Sequence, residues 1–542
     1  MGFILVFGLI AVFANYVAVK VLVCYYGTWA TYRWGLGKFD VENVNPDLCT
    51  HVVYTFVGID HQGNVISLDP YLDLENGRDN FNKFNALKQK NANLKTLLAV
   101  GGWNEGSAKY SVMAANAALR KNFIDSSLKM VLHYGFDGLD LDWEYPGRRD
   151  TVHGAADIEN FSVLVKETKE EYLKYGLLLT AAVSSVETSA SQSYNIAEIS
   201  KYLDLIGIMT YDMYGAWDPV TGHNAPLHRG EGDELADRNS LNTVDVAVEY
   251  WLREGCPPEK LVIGLPLYGR TFTLSNPANN GVRAPSSGAG IAGPHTATSG
   301  SIGYNEFCDM MQTQTWDVRY DSLAKVPYAV QNRNWVSFDD PNSITEKVEY
   351  GLARNVAGFM VWSIETDDFN AVCSEEDFPL LRAINKAIVR NVGSSSTSTS
   401  TTTARPTTAS TAIDKETTIV DTTTNEPARP TTASTAIDKE TTIVDTTTNE
   451  PASTTDSPTP ETPICVKEGF AASPYDCSIF YICVTGVNGE LIPKEFVCPG
   501  VLIWDQDNLL CNYPDLVECN VIDKATPADF RKSLLHQTGG RH

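Results

Sequence analysis

The chain has 542 residues, which is enough for a large hydrophobic core and for additional modules. Its formal net charge of -25 argues against a nucleic-acid partner, because binding to phosphates needs a cationic surface. Aromatic residues make up 10% of the chain, and this supply suits either a large core or a surface that binds carbohydrate.

The N-terminus contains an apolar stretch from Phe3 to Ala14, followed by small residues that suit cleavage after Ala14 or Ala18. We predict a secretory signal peptide over residues 1–18, because the stretch is too short to span a bilayer. A buried first strand is the alternative interpretation. Since no later apolar run reaches membrane length, the mature protein is predicted to be secreted and extracellular, with no membrane partner.

Residues 19–392 are predicted to form a (β/α)8 TIM barrel, an α/β fold. Eight short apolar runs predict its strands, and helical patterns such as Phe81–Asn91 and Ala115–Tyr134 separate several of them. An open doubly wound sheet is the alternative. The interval from about residue 270 to 337 is too long for one crossover helix and predicts a small inserted α+β subdomain. The predicted strands are Val21–Tyr25, His51–Phe56, Leu94–Val100, Gly138–Asp142, Leu177–Val183, Leu205–Thr210, Leu261–Leu267 and Val356–Trp362.

Ser, Thr and Pro dominate residues 393–462, where one 24-residue sequence occurs twice without change, at 404–427 and 428–451. Such a tract cannot bury enough apolar surface to offset its chain entropy. We therefore predict a disordered linker of the O-glycosylated kind.

Residues 463–520 contain six of the eleven cysteines and predict a small disulfide-rich β module, followed by a polar tail over 521–542. Zinc binding is the alternative, although the module has no Cys-x-x-Cys pair. The odd number of cysteines leaves one thiol unpaired. Cys256 is the best candidate, as a buried structural group.

The most informative segment is DGLDLDWEYP, residues 137–146, in which four carboxylates occupy eight positions. Successive side chains of a strand point to opposite faces, so Asp140, Asp142 and Glu144 share one face at spacings of roughly 7 Å. Like charges this close cannot all ionise freely, which predicts catalytic carboxyl groups. Asp137 has the opposite parity and is predicted to be structural, capping a turn or loop. A solvated acidic strand or a divalent-cation loop is the alternative.

Glu144 ends the acidic run beside aromatic residues, where partial desolvation can raise its pKa so that it holds a proton near neutral pH. Asp142 is close enough to support it, and Asp140 and Asp142 would titrate as a pair. Paired carboxylates at the carboxyl end of a barrel strand suggest glycoside hydrolysis, without deciding between retention and inversion. Metal-dependent hydrolysis is the alternative, although no histidine cluster accompanies the acids.

Four motifs, in order, resemble those of glycoside hydrolase family 18, the chitinases, in the form usual among arthropod members. They are LLAVGGWN at 97–104, the acidic segment at 137–146, MTYDMYG at 209–215 and GFMVWS at 358–363. The resemblance extends over nearly all of residues 20–390. It implies a TIM barrel and an endochitinase that hydrolyses the β-1,4 linkages of chitin and of N-acetylglucosamine oligomers, with no metal or organic cofactor.

The same resemblance implies roles for individual residues. Glu144 would be the general acid, and the nucleophile would be the substrate's own N-acetyl oxygen, with net retention. Asp142 would accept the acetamido N–H and pass charge to Asp140, while Tyr211 would hydrogen-bond the acetamido carbonyl. Judged by residue type alone, Tyr211 and Trp362 would more often be core aromatics. The substrate-binding residues implied are Trp362 as the floor under the sugar, Asp212 and Met209 in the same subsite, Trp103, Trp217 and Tyr25 as stacking positions, Arg270 as a polar contact, and Tyr145.

The C-terminal module resembles the peritrophin-A type chitin-binding domain, carbohydrate-binding module family 14. Its aromatic residues are candidates for an apolar face that binds sugar rings, although some must form the core of so small a domain. These residues are Tyr475, Phe480, Tyr481, Trp504 and Tyr513. The disulfides implied by the two resemblances are Cys24–Cys49, Cys308–Cys373, Cys465–Cys483, Cys477–Cys519 and Cys498–Cys511.

The predicted function is that of a secreted, monomeric endochitinase whose module anchors it to insoluble chitin. A chitinase-like lectin that binds without cleaving is the alternative, although such proteins typically lose the glutamate that is present here as Glu144. A related hydrolase acting on N-glycan cores is a third hypothesis, and the chitin-binding module argues against it.

Overall fold

The structure is a computed structural model. It describes residues 20–397 and, near the C-terminus, residues 469–473, 476–485, 491–498, 503–506, 510–512 and 517. The predicted signal peptide, the repeats of the linker and the tail lie outside the described residues. Within the described part of the chain, no helix is both long and apolar enough to cross a membrane.

Eight parallel strands close into a barrel in the order β1, β2, β4, β5, β6, β7, β8 and β15, with β15 pairing again with β1. This closure confirms the predicted TIM barrel and excludes the doubly wound alternative. The short β3 pairs antiparallel with β2. The strands are β1 (Val21–Gly27), β2 (His51–Ile59), β3 (Val65–Ser67), β4 (Lys95–Gly101), β5 (Gly138–Asp142), β6 (Leu178–Ser184), β7 (Leu205–Met209), β8 (Leu261–Pro266), β9 (Tyr268–Leu274), β10 (Ser286–Ala289), β11 (Ser301–Gly303), β12 (Asp317–Asp321), β13 (Val326–Gln331), β14 (Asn334–Ser337) and β15 (Gly358–Trp362).

Helices connect most of the barrel strands and pack outside them. They are α1 (Pro70–Asp73), α2 (Asn80–Asn85), α3 (Ala108–Ala115), α4 (Ala117–Tyr134), α5 (Asp157–Tyr172), α6 (Glu187–Ala190), α7 (Ile196–Tyr202), α8 (Val244–Arg253), α9 (Tyr304–Thr313), α10 (Pro341–Ala353) and α11 (Pro379–Thr397). Helix α11 continues past residue 392, so the start of the predicted linker is helical.

Local sequence explains where α4 begins and ends. The side chain of Asn116 accepts hydrogen bonds from the backbone N–H groups of Ala118 and Leu119, which caps the helix. Gly135 adopts a left-handed conformation with φ of 76° and ends it. The helix predicted over Ala115–Tyr134 is therefore correct, apart from its first two positions.

Apolar side chains pack on both faces of the barrel strands. One layer lies inside the barrel and includes Val53, Leu97 and Met360, and the larger one lies between the strands and the helices. On β5, Leu139 and Leu141 pack in the outer layer. Asp140 and Asp142 occupy the alternate positions and therefore lie on the opposite face of the strand. The acids consequently point into the barrel.

The chain between Tyr268 and Ser337 forms a second, antiparallel sheet with strand order β10, β9, β14, β13 and β12, while β11 pairs with β9. Together with α9 this is the inserted α+β subdomain that the sequence predicts. A buried pair joins it to the loop after β7, because His223 Nε2 lies 3.0 Å from Asp321 Oδ2.

Both disulfides implied by the family positions are present. Cys24–Cys49 lies in the barrel, and Cys308–Cys373 joins α9 of the inserted subdomain to the loop after β15. Cys256 is a free, buried cysteine, and burial raises the pKa of its thiol to about 12. A thiol that holds its proton so firmly is a poor nucleophile, which agrees with a structural role.

The C-terminal region contains a three-stranded antiparallel sheet and a two-stranded one. Cys477, Cys483 and Cys498 are disulfide-bonded. Their predicted partners Cys519 and Cys465, and the side chain of Cys511, lie outside the described part. Tyr481 is 8% exposed and thus belongs to the core of the module, which corrects its prediction as a sugar contact. Phe480 is half-buried, whereas Tyr475, Tyr513 and the side chain of Trp504 lie outside the described part. The strands are β16 (Gly469–Ala472), β17 (Ile479–Thr485), β18 (Leu491–Val497), β19 (Ile503–Asp505) and β20 (Leu510–Asn512).

Candidate active site

The predicted catalytic acids lie at the carboxyl end of β5. Asp140 and Asp142 are buried inside the barrel, and Glu144 follows the last strand residue in a half-buried position. The carboxyl ends of parallel barrel strands share one face, so residues from several strands meet here. Three peptide bonds are cis, namely Thr55–Phe56 within β2, Glu144–Tyr145 after β5 and Trp362–Ser363 at the end of β15.

Two glycines explain how β4 approaches β5 closely at this face. Gly101 has φ of 120°, and a Cβ there would lie 2.1 Å from the carbonyl oxygen of Asp142. The next residue, Gly102, donates its N–H to that same oxygen at 2.7 Å. The glycines of the LLAVGGWN motif therefore hold the backbone of Asp142 in place.

Asp140 is held by two hydroxyl groups. Tyr25 Oη donates to Oδ2 at 2.8 Å, and Thr180 Oγ1 donates to Oδ1. Burial raises the pKa of Asp140 to about 6, although both hydroxyls favour its ionised form. Tyr25 is only 3% exposed, which corrects its prediction as a sugar-stacking residue. Because Tyr25 points into the barrel beside Asp140, it supports the carboxylate instead.

Asp142 lies between the other two acids. It is 4% exposed, and its Oδ1 has no hydrogen-bond partner within the described residues. Burial and the neighbouring charges of Glu144 and Asp140 hold its pKa well above the usual range. Asp142 therefore has one buried carboxyl oxygen whose hydrogen-bonding capacity is not used by the described residues.

Glu144 is half-buried at the mouth of the barrel. Burial raises its pKa to about 7, and the charge of Asp212 acts in the same direction. Tyr145 and Arg149 oppose this shift. A carboxyl group that stays protonated near neutral pH can act as a general acid.

The loop after β7 supplies a polar cluster opposite the acids. Asp212 has φ of 57°, and its Oδ1 accepts hydrogen bonds from Tyr268 Oη at 2.5 Å and from Arg270 Nε at 2.7 Å. Tyr211 is half-buried, and its ring makes an edge contact with that of Tyr268. Burial, with Tyr268, Asp142, Asp212 and Glu144 nearby, holds the pKa of Tyr211 well above its usual range, so its hydroxyl remains a donor. Met209 ends β7 beside this cluster.

Trp362 ends β15 and packs against two further aromatic rings. Its centroid lies 5.8 Å from that of Phe56, nearly parallel, and 6.1 Å from that of Trp29. Trp29 is 42% exposed. These rings form an apolar surface at the carboxyl ends of β1, β2 and β15, of the kind that stacks against sugar rings.

Two tryptophans predicted as sugar contacts are strongly exposed. Trp103 follows β4 and is 58% exposed, while Trp217 follows β7 and is 61% exposed. Each has an arginine above its ring, Arg149 at 3.7 Å from the centroid of Trp103 and Arg270 at 5.1 Å from that of Trp217. Both tryptophans flank the acids at the barrel mouth.

Asp137 lies at the opposite end of β5, away from the site. Its carboxylate accepts hydrogen bonds from Lys88 Nζ and Lys95 Nζ at 3.0 Å each and from the N–H of Thr96 at 2.9 Å. Burial would raise its pKa, but these donors outweigh burial and lower the pKa. The structural role predicted from its parity is correct.

Sequence reasoning missed Trp29, Phe56, Thr180 and Tyr268 as members of the site. Each lies on a barrel strand, just after one, or at the start of the inserted subdomain, outside the four motifs. For Trp29, Phe56 and Tyr268 the available signal was an aromatic residue at or just after the end of a predicted strand. Thr180 lies in the middle of a strand and had no such signal.

One group of potential metal ligands occurs among the described residues, namely Cys308, Asp368 and Cys373. The two sulfur atoms are bonded to each other in a disulfide, so neither is a thiolate. This group therefore offers a single ligand.

Residues 21–367 match the family model described as Glycosyl hydrolases family 18. The chain belongs to this family. Residues 465–519 match the Chitin binding Peritrophin-A domain. Both family resemblances drawn from the sequence motifs are thus confirmed.

Relatives of this family 18 chain include proteins described both as chitinases and as a pseudo-chitinase. Probable chitinase 2 of Drosophila melanogaster is 43% identical over 400 residues, covering 68% of this chain and 80% of that protein. The structure of Ostrinia furnacalis Group IV chitinase in complex with allosamidin is 60% identical with a TM-score of 0.68, covering 68% of this chain and 99% of that chain. Human YKL-39, described as a pseudo-chitinase with retained chitooligosaccharide binding properties, is 36% identical with a TM-score of 0.63, covering 68% of this chain and 100% of that chain. The fold alone therefore does not show whether a member of this family cleaves a sugar chain or only binds it. The residues of the site have to distinguish the two.

Proposed function

We propose that the protein is a secreted endochitinase that hydrolyses β-1,4 linkages between N-acetylglucosamine units with retention of configuration. The observation that carries this proposal is Glu144, a carboxyl group at the barrel mouth whose pKa burial raises to about 7. It lies at the end of a strand that carries two further buried acids, within a chain of family 18. A proton donor at this position is what a glycosidase needs and a lectin does not.

In the first step Glu144 protonates the glycosidic oxygen while the bond between that oxygen and C1 breaks. The carbonyl oxygen of the substrate's own N-acetyl group bonds to C1 on the opposite face and forms an oxazolinium ion. In the second step a water oxygen bonds to C1 while the bond between C1 and the N-acetyl oxygen breaks, and the water gives a proton to the Glu144 carboxylate. Two inversions at C1 leave net retention, and the acid is restored.

The two aspartates would stabilise the cyclic intermediate. Asp142 accepts the acetamido N–H through a carboxyl oxygen such as Oδ1, which has no partner in the described part of the protein. When Asp142 turns towards the substrate, negative charge passes to Asp140. The hydroxyls of Tyr25 and Thr180 stabilise this charge on Asp140. Tyr211 donates its hydroxyl to the acetamido carbonyl. The substrate thus supplies the nucleophile, and no protein carboxylate has to attack C1.

The aromatic and polar groups around the acids would hold the sugar chain. Trp362 lies under the ring whose bond is cleaved, and the exposed faces of Trp103 and Trp217 stack against neighbouring sugars. Asp212 and Arg270, already hydrogen-bonded to each other, contact polar groups of the chain. Met209 and Tyr145 line the same cleft.

The C-terminal module would anchor the enzyme to insoluble chitin, because its sequence matches a chitin-binding domain. A tethered anchor raises the local concentration of the catalytic domain at the surface without a new contact to the reacting bond. Chitin is extracellular, so this role requires secretion, for which the signal peptide predicted over residues 1–18 would serve. We expect the secreted enzyme to act as a monomer.

The test is a time course of product sizes and anomers on chitohexaose, followed by chromatography and proton NMR. We expect internal cleavage and β-anomeric first products, as substrate assistance requires. Release of α-anomers would contradict the mechanism. Binding without any product would favour the pseudo-chitinase alternative, which the similarity to YKL-39 motivates.

A further inference from the structure

The segment after the proposed proton donor, residues 145–150, carries two adjacent arginines. The guanidinium carbon of Arg149 lies 3.7 Å from the ring centroid of Trp103, which is a close cation–π contact. Its Nη1 also donates to the carbonyl oxygen of Glu144 at 3.4 Å. A cation from the β5 loop is thereby fixed between the proton donor and a tryptophan of the β4 loop.

Several hydrogen bonds hold this loop in place. Asp150 Oδ2 accepts the N–H groups of Ser107 and Ala108 at 3.1 and 3.3 Å, at the start of α3. Ser107 Oγ donates to the carbonyl oxygen of Tyr145 at 3.0 Å. Arg149 and Asp150 have positive φ angles of 49° and 29°, so the chain turns sharply at these two residues. The arginine is therefore positioned by both loops.

Most ionisable groups around Glu144 are acidic or phenolic. Their negative forms disfavour ionisation of Glu144, whereas a guanidinium remains protonated over the whole working range and favours it. Consistently, the hydrogen bond from Tyr145 and the charge of Arg149 oppose the rise in the pKa of Glu144 that burial and Asp212 cause. The groups that face Glu144 are Asp142 on β5, Tyr145 and Arg149 after β5, Tyr194 after β6, and Tyr211 and Asp212 after β7. Arg149 itself faces Asp150, whose Oδ1 lies 3.8 Å from Nε.

We propose that Arg149 is a positioning residue that uses its contact with Trp103 to hold a permanent positive charge beside Glu144, and so sets the pH above which the enzyme loses activity. The proposal rests on the proposed role of Glu144 as general acid. A fixed cation stabilises the carboxylate, so its removal makes Glu144 hold its proton to higher pH. The active, protonated form then persists further into the alkaline range.

The test is the pH profile of kcat/KM on a soluble N-acetylglucosamine oligomer. Arg149→Gln is expected to move the alkaline limb upwards by about half a pH unit. Arg149→Lys keeps the charge and should leave the limb near its wild-type position. The matched control is Arg148→Gln, which removes the same charge one residue earlier, on the side that faces Tyr194. An alkaline limb that Arg149→Gln leaves in place, or that Arg148→Gln moves equally, would overturn the proposal.

The contact with Trp103 is tested in a double-mutant cycle. If the indole holds the guanidinium, Trp103→Leu alone should raise the alkaline limb, and adding Arg149→Gln should then have a smaller effect than in the wild type. Fully additive shifts would refute the positioning role. Failure of the proposed function itself would be recognised separately, because Glu144→Gln would then retain hydrolysis.

Discussion

Asp140, Asp142 and Glu144 lie on one side of a strand and its continuation, and burial raises the pKa of each. The three have different partners. Two hydroxyls hold Asp140, whereas Asp142 has an oxygen without a partner in the described part of the chain and Glu144 reaches the barrel mouth. These differences fit the roles in support, substrate contact and proton donation that the proposed mechanism gives to the three residues.

Glu144→Gln is expected to abolish hydrolysis of soluble oligomers, by at least about 1,000-fold in kcat, because the amide cannot donate the proton that the leaving oxygen needs. The shape of the side chain is kept, so oligomer binding measured by calorimetry should remain. Glu159→Gln is the matched control, since Glu159 is exposed on α5. Substantial residual turnover in Glu144→Gln would refute the assignment of the acid.

The same substitution should change stability in a pH-dependent way. The pKa of Glu144 is raised from 4.5 to about 7 on folding, so its favourable contribution is complete below pH 4.5 and is lost as pH rises through 7. Glu144→Gln removes this loss and should stabilise the protein by on the order of 1–3 kcal/mol at alkaline pH. Thermal unfolding at several pH values checks this. An equal gain at acidic pH would contradict it.

Strand β1 shows how one element separates two roles by parity. Tyr25 points inwards and donates to Asp140, while Tyr26 points outwards into the layer between strands and helices. Both tyrosines are almost completely buried. The exposed fraction of the side chain therefore does not distinguish the two tyrosines. They differ only in the face of the strand from which each side chain projects.

Tyr25→Phe is expected to lower kcat by about tenfold, because a hydrogen bond to a charged carboxylate is worth about 1.5–3 kcal/mol. Loss of that bond should also raise the pKa of Asp140 further. Tyr26→Phe is the matched control on the opposite face of the strand, where the hydroxyl makes only a 3.5 Å contact with the carbonyl oxygen of Phe39. Kinetics on soluble oligomers distinguish the two. Equal losses of kcat would show that Tyr25 acts only through packing.

At the level of the whole molecule, a catalytic barrel and a chitin-binding module are separated by a Ser/Thr/Pro-rich tract. Helix α11 continues to Thr397, so this residue is a better end point for an isolated barrel than residue 392. If the barrel hydrolyses the substrate and the module binds chitin, then binding to insoluble chitin and hydrolysis of short oligomers can be lost independently.

Truncation after Thr397 should weaken binding to chitin beads by about tenfold or more while leaving kcat/KM on soluble oligomers within about twofold. A protein lacking only residues 428–451 keeps the module and one copy of the repeat, and serves as the control. It should bind the beads like the full chain. Equal retention of the truncated and full-length proteins would refute anchoring by the module.

Much of the fold could be predicted because the signals are local. Each barrel strand is a short apolar run, and the period of two in the acidic segment correctly separated Asp137 from the inward-facing acids. Tyr25 was assigned wrongly because its exposure depends on the depth of its position in a closed barrel. Trp29, Phe56 and Thr180 were missed because they lie on or just after other strands, far along the chain from the acids.

The sequence by itself determined the barrel strands and the parity of the acids, since these follow from the order and periodicity of nearby residues. The resemblance of its four motifs indicated the family. Tertiary structure decided which carboxyl oxygens are hydrogen-bonded, how far burial raises each pKa and which aromatic rings meet at the mouth. It also placed Arg149 over Trp103, two residues on different loops. The physical reason is that solvation and pairing depend on neighbours in space, and these neighbours come together only when eight strands close around one axis.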